Sequence, residues 1–360
     1  MEGLPNYLST RGWNVHIIVG DAAHEVDGAK LHVVKMRREP SPARDVLGLV
    51  GWMGVLRSVR PDVVVAGTPK AGLLGMLASR WMGVPHRIYL LRGLRLETAA
   101  PRARWLFAWL ERLATRCSTE VVAVSESLKE TALAWRLGPK EKFVVLGAGS
   151  SNGVDVERYR PLESSSSQAE FREPLGLDPE VPVVGFVGRM VRDKGLDTLA
   201  TALRAVSSGR RVQFLGVGSV EDPEYFAHCE ALLKQSRIAF RFIAQVDDTA
   251  PIFQAIDIFC LPSLREGFPN VVLEASASGI PVICADTTGC RDAVLPGVTG
   301  LLFPAGDATA LASSLEMLLE DPDIAHAMGQ AGRSHVVEQF EQVKVWEQLH
   351  EHLKSKAYRA

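Results

Sequence analysis

Cysteine is too scarce here for a disulfide framework or a zinc site. The five cysteines are odd in number and include no C-x-x-C pair, which points to a reducing compartment. Cys260 and Cys284 each fall inside an apolar run and read as buried core. An excess of one charge is also missing: 40 Lys+Arg against 42 Asp+Glu leave −2. That excludes a globally basic nucleic-acid binder and leaves room only for local basic patches. Long hydrophobic runs are absent too. The best candidate, VLGLVGWMGVL, contains three glycines and is far shorter than the roughly 20 residues that span a bilayer. No signal peptide opens the sequence, so the expected location is cytoplasmic, at most peripheral on the inner face of the cell membrane. The single D-x-D, Asp321-Pro-Asp323, precedes a helical stretch and reads as an N-cap. No metal site is expected.

What the sequence does contain is alternation. VHIIVG, DVVVAG, HRIYLL, EVVAVS and FVVLGAG are short β-branched runs, separated by helical stretches such as AGLLGMLASRWMG and the segment from Arg102 to Cys117. Runs without polar alternation fit parallel strands covered on both faces, so an α/β doubly wound domain is expected over residues 1–155. The next stretch, rich in serine and proline, reads as a linker over 156–181. A second series follows over 182–335: VVGFVG, RVQFLG, IAFRFI, DIFCLP, PVICAD and GLLFP. A terminal helix is expected from about Gln330 to Lys354, its last part forming a separate segment over 336–360. One irregularity stands at the start. MEGLPNYLSTRGW looks like the end of a helix, so the first strand of the domain and its loop are expected to be missing, through a misplaced start or a truncation.

Two loops carry candidate chemistry. In VVGFVGRMVRDKG a strand ends at Gly188-Arg189, and Lys194-Gly195 open a helix. Ligands of open α/β sheets sit outside the carboxyl ends of strands, where Arg189 and Lys194 would meet a diphosphate. The bland alternative is two solvated charges. DIFCLPSLREGFPNVVLEA is a strand, a loop from Pro262 to Pro269 and a helix from about Asn270, with Asn270 as candidate N-cap and Glu274 on the first turns. Backbone N–H groups around Gly267, Phe268 and Asn270 would face the same crevice. A carboxylate there can accept two adjacent hydroxyls, as of a ribose or hexose; a capped helix with one favourable glutamate explains the spacing equally well.

Together, G-R-x4-K-G, then L-P-S-x2-E-G-F-P-N-x3-E-A, then GVTGLLFPAGD resemble the donor-binding half of family 4 glycosyltransferases, retaining enzymes with the two-domain GT-B fold. Glu266 and Glu274 match the family's E-x7-E pair. VAVSESLKE, NGVDVERY and the last helix extend the likeness over nearly the whole chain. PDVV-x-x-GTPKAGLLG and YLLRGLRLET are most similar to bacterial transferases of envelope polysaccharide assembly. The resemblance implies two Rossmann-like domains facing a cleft and a final helix crossing back to the first. It implies catalytic roles for Arg189, Lys194 and Glu266: Arg189 and Lys194 neutralise the donor diphosphate, and Glu266 meets the hexose. Glu274 would hold the ribose, with Pro269 and the amides after Glu266 lining the donor site. Gly188, Gly216 and Gly218 would let the nucleotide approach a strand end, and Val246 would meet its base. No cofactor and no metal are implied, the substrate being a nucleotide diphosphate sugar, UDP-linked.

The first domain would then bind the acceptor, a polyprenyl-diphosphate-linked saccharide. Lys70 opens a helix after one strand, and Arg92 and Arg95 follow another; both are anion-friendly places. In RARWLFAWLERLATR, four arginines accompany Trp105, Phe107 and Trp109. The helix over 102–116 is expected on an anionic membrane surface, or else is a core helix with its arginines in water. Nucleic acid is not an expected partner. Val65 and Arg92 stand where many relatives carry histidines, and Ala244-Gln245 where a glycine is common. The rival readings are a non-catalytic sugar-nucleotide-binding remnant and another GT-B activity such as a phosphorylase or an epimerase.

Overall fold

The computed structural model describes residues 3–21, 25–36, 41–150, 152–162, 168–207, 209–236 and 238–357. The chain divides into two compact units, Met1–Asn152 with Val343–Ala360, and Gly153–Gln342.

Unit 1 begins with α1 (Leu4–Ser9), β1 (Val15–Val19), β2 (Ala29–Val33) and α2 (Pro42–Val59). It continues through β3 (Val63–Ala66), α3 (Pro69–Trp81), β4 (His86–Leu91), α4 (Pro101–Cys117), β5 (Glu120–Ala123), α5 (Glu126–Ala134) and β6 (Phe143–Val145). β3-β4-β5-β6 form one parallel sheet and β1-β2 a separate parallel pair. Thr68 and Ser125 cap α3 and α5 by accepting from Ala71 N and Leu128 N, which starts each helix directly after its strand. β2 is a strand beyond those expected from the sequence; Lys30 and His32 interrupt its apolar run.

Unit 2 contains α6 (Gln168–Arg172), β7 (Val183–Val187), α7 (Leu196–Val206), β8 (Gln213–Val217), α8 (Pro223–Lys234), β9 (Ala239–Ile243), α9 (Ala250–Gln254) and β10 (Ile258–Leu261). There follow α10 (Asn270–Ala277), β11 (Val282–Ala285), α11 (Cys290–Ala293), β12 (Gly300–Phe303), α12 (Ala308–Glu320) and α13 (Pro322–Gln339). Its parallel sheet runs β12-β11-β10-β7-β8-β9. β7, β8, β10 and β11 are buried at every position, which explains their lack of polar alternation. The strand order reverses between β7 and β10, so the connections from these two strands run to opposite sides and leave a crevice at their carboxyl ends.

Two expectations change here. The stretch read as a linker is partly structured and packed: it carries α6, and Tyr159 and Arg172 are buried. Arg172 donates to Ala255 O and Pro179 O and pairs with Asp257 at 2.5 Å, so a cation in a polar-looking segment is an internal tie. The single helix expected over 330–354 is two, because the backbone turns aside to pair with Val154. Val154 N donates to Phe340 O, and Gln342 N donates to Val154 O, both at 2.9 Å. The second piece, α14 (Gln342–Ala357), lies almost wholly in unit 1. There Tyr7 and Trp346 pack with ring centroids 5.5 Å apart and planes tilted by 57°, Trp13 Nε1 donates to His350 Nδ1, and Glu120 holds His352 and Lys356.

Candidate functional site

The loops after β7 and β10 meet at the switch point of the unit 2 sheet. After β7 the chain is fastened to the loop after β8: Gly188 N donates to Val217 O and Met190 N to Ser219 O. Gly218 (φ +150°) makes this possible, since a Cβ there would lie 1.9 Å from Gly188 O. Arg192–Lys194 form one 3-10 turn, and Gly195 (φ +66°) leads into α7. A side chain at Gly195 would meet Pro262 O at 2.1 Å, so glycine lets the two loops touch backbone to backbone.

Across that contact the side chains pair in sequence. Lys194 Nζ lies 2.5 Å from Glu266 Oε1, with the two side chains only 18% and 14% exposed. One residue earlier on each strand of the contact, Arg265 donates through Nε and NH2 to Asp193 Oδ2 at 3.0 and 2.7 Å. Leu264 N donates to Asp193 O. Arg189 is more open, at 52% exposed, and its guanidinium meets Glu221 at 2.7 Å. Thus both candidate phosphate cations hold carboxylates, and a diphosphate would replace or share those partners.

Glu274 turns elsewhere. It is sunk among Thr249, Tyr159 and Arg158, and burial pushes its carboxyl up to about 7 against the attraction of Arg158 and a hydrogen bond with Thr249. Tyr159 and Thr249 share a 2.9 Å hydrogen bond, and Arg158 pairs with Asp248. The two glutamates therefore serve different neighbourhoods: Glu266 the β7 loop, Glu274 the loop before α9.

The other expected donor residues fall as follows. Gly267 and Phe268 are backed by Gly289, whose absent side chain leaves room for Gly267 O. Phe268 packs on Phe340 at 5.2 Å. Asn270 is not the cap of α10: Pro269 occupies that position, extended at φ −84°, and Asn270 is the first helical residue. Proline's fixed φ is suited to the last turn of the loop. Gly216 lies inside β8, where a Cβ would strike the Phe242 ring at 2.6 Å, a packing reason for glycine. Val246 is half-buried in the loop between β9 and α9. Asp321 caps α13 by accepting from Ile324 N, as its spacing suggested.

In unit 1, Lys70 stands at the start of α3 and pairs with Asp45 of α2 at 2.7 Å. Arg92 follows β4 and is exposed, and Arg95 lies over Phe107 with Cζ 5.5 Å from the ring centroid. On α4 the tryptophans, not only the arginines, face outward: Trp105, Leu106 and Trp109 are 68%, 56% and 57% exposed. Arg104 and Arg112 donate to Ala99 O and to Trp135 O and Arg136 O, and Glu111, the helix's one acid, turns inward to accept from Tyr89 OH. Among the described residues no helix is long and apolar enough to cross a membrane.

Glu221, Asp193, Arg265 and Thr249 were not singled out from the sequence. Their partners lie 25 to 90 positions away, and no local spacing announces such pairs.

Comparison with known proteins covers both units. Residues 167–335 match the glycosyl transferases group 1 family, and residues 2–149 match the glycosyl transferase 4-like domain. The capsular polysaccharide biosynthesis glycosyltransferase CapM of Staphylococcus aureus is 33% identical over 352 residues, covering 97% of this chain and 92% of that protein. The UDP-Gal:alpha-D-GlcNAc-diphosphoundecaprenol alpha-1,3-galactosyltransferase of Escherichia coli is 27% identical, covering 85% of this chain and 79% of its own. Among solved structures, sucrose-phosphate synthase from Thermosynechococcus elongatus superimposes with a TM-score of 0.86 at 22% identity, over 99% of this chain and 92% of that one. The fold is GT-B, two parallel-sheet α/β domains. With a group 1 match on the unit that pairs Lys194 with Glu266, and a relative matched nearly end to end, this chain belongs to the glycosyltransferases of group 1.

Proposed function

We propose that this glycosyltransferase moves a hexose or N-acetylhexosamine, with retention, from a UDP-linked sugar to a polyprenyl-diphosphate-linked saccharide in cell-envelope polysaccharide assembly. The observation that carries the reading is the meeting of Lys194 and Glu266 at the switch point of the unit 2 sheet. The relatives named for capsular polysaccharide and for a diphosphoundecaprenol acceptor support the substrate class.

In this reading the donor diphosphate lies against Arg189 and Lys194, and Glu274 takes the ribose hydroxyls. Glu266 holds the sugar. The acceptor oxygen bonds to the anomeric carbon on the face the phosphate leaves, the bond from that carbon to the phosphate oxygen breaks, and the acceptor proton passes to the departing phosphate. Arg189 and Lys194 stabilise the charge that develops, with donors fixed in advance of the reaction. The step uses no protein nucleophile and no metal ion. Lys70, Arg92 and Arg95 are assigned to the acceptor's phosphates. The outward face of α4 rests on the inner leaflet of the cell membrane, Trp105 and Trp109 at the interface and arginines toward lipid phosphates.

The test is a donor screen by mass spectrometry with lipid-linked acceptor extract. Transfer from one UDP-sugar, unaffected by EDTA and abolished in Lys194→Ala and Glu274→Ala with the circular dichroism spectrum retained, is the expected result. Wild-type turnover in either variant sinks the assignment; nucleotide binding without any turnover favours a non-catalytic remnant.

A further inference from the structure

We infer that Asp193 and Arg265 form a clasp that sets the position of Lys194 and Glu266 and remains closed when a donor takes those two residues over. The inference rests on the functional reading above and adds two positioning residues to it.

The contact between the β7 and β10 loops has two consecutive ion pairs of opposite polarity: acid to base at Asp193–Arg265, then base to acid at Lys194–Glu266. The second pair consists of the groups assigned to the donor, so it cannot also be what holds the loops together once a diphosphate arrives. The first pair makes no such demand. Arg265 reaches Asp193 Oδ2 with two nitrogens, which fixes direction as well as distance. Its side chain is 23% exposed and that of Asp193 37%, so the pair is partly shielded. The backbone repeats the connection on either side: Leu264 N donates to Asp193 O, and Gly195 admits Pro262 O. Because Lys194 and Glu266 each follow a clasp residue directly in the chain, a shift of the clasp moves both charged groups together. A displacement near 1 Å at a reacting centre is enough for about a hundredfold loss of rate.

The experiment is a double-mutant cycle on the full chain: Asp193→Ala, Arg265→Ala and the two combined. UDP-sugar transfer gives kcat and donor KM, calorimetry gives UDP binding, and thermal unfolding monitors the fold. Each single variant is expected to lower kcat about tenfold to a hundredfold, with a much smaller change in UDP affinity. The double variant should be no worse than the poorer single, because the second substitution has nothing left to break. Effects that multiply across the two positions overturn the clasp, as do single variants with wild-type kcat. A loss of kcat accounted for by a falling folded fraction overturns it as well. If the wild type neither transfers sugar nor binds UDP, the functional reading fails and the inference falls with it; an active wild type beside indifferent variants removes the inference alone.

Discussion

At the scale of single residues the most informative group is Glu274. A carboxyl held at about 7 is half protonated near neutrality, and a ribose pair of hydroxyls needs the ionised form as acceptor. Affinity for a UDP-sugar should therefore rise as pH increases through about 7 and level off above it, and Glu274→Gln should weaken binding and flatten the profile. Calorimetric titrations between pH 6 and 8.5, about this midpoint, check the sign; affinity that falls with pH in the wild type refutes the ribose role. Arg158 and Thr249 act against the burial that raises this carboxyl, so Arg158→Ala should move the same midpoint upward.

At the scale of elements, α4 presents an outward face that is apolar and basic together. Its four arginines are opposed by a single glutamate, and that glutamate is turned to Tyr89. Binding to phosphatidylglycerol vesicles should exceed binding to phosphatidylcholine vesicles and weaken with salt. Arg102→Gln and Arg116→Gln should each cost about fivefold in affinity, and Trp105→Ser with Trp109→Ser should abolish insertion seen by tryptophan fluorescence. Sedimentation that ignores lipid charge argues against the assignment.

Elements also show what could be read in advance. Every strand expected from its β-branched run is present; in β7, β8, β10 and β11 burial on both faces is written into consecutive positions. β2 escaped because Lys30 and His32 break that signal, and the end of α13 because Val154, far off in sequence, draws Phe340 and Gln342 out of helical pairing. Arg189, Lys194, Glu266 and Glu274 were legible as members of two motifs. What those motifs left silent was the pairing of Lys194 with Glu266 and the partners of Arg189 and Glu274, Glu221 and Thr249, since tertiary neighbours need no sequence period.

At the scale of the whole molecule, the described residues of each unit include a carboxyl displaced in the same direction. Glu111 in unit 1 and Glu274 in unit 2 both titrate at about 7, raised by burial from 4.5. A raised carboxyl pKa means the folded state binds the proton more tightly than the unfolded one. Stability is therefore lost as pH rises from 4.5 to about 7, on the order of 3 kcal/mol for each group. The thermal midpoint should be higher at pH 5.5 than at pH 8, about the two ends of that window. Glu111→Gln, which keeps an acceptor for Tyr89 OH, should recover part of the loss at the higher pH only. An unchanged difference in that variant counts against the buried-carboxyl explanation.

Unit 2 is one continuous run of chain, whereas unit 1 is closed by α14 from the far end. Order of synthesis and order of maturation are then reversed. Of the two units, the one that emerges first on the ribosome is finished last, since Trp13 and Glu120 meet His350 and His352 only after all of unit 2 has been translated. Throughout that interval the surfaces of Tyr7 and Trp13 destined for α14 lie open, a natural window for a chaperone to hold this half of the nascent protein.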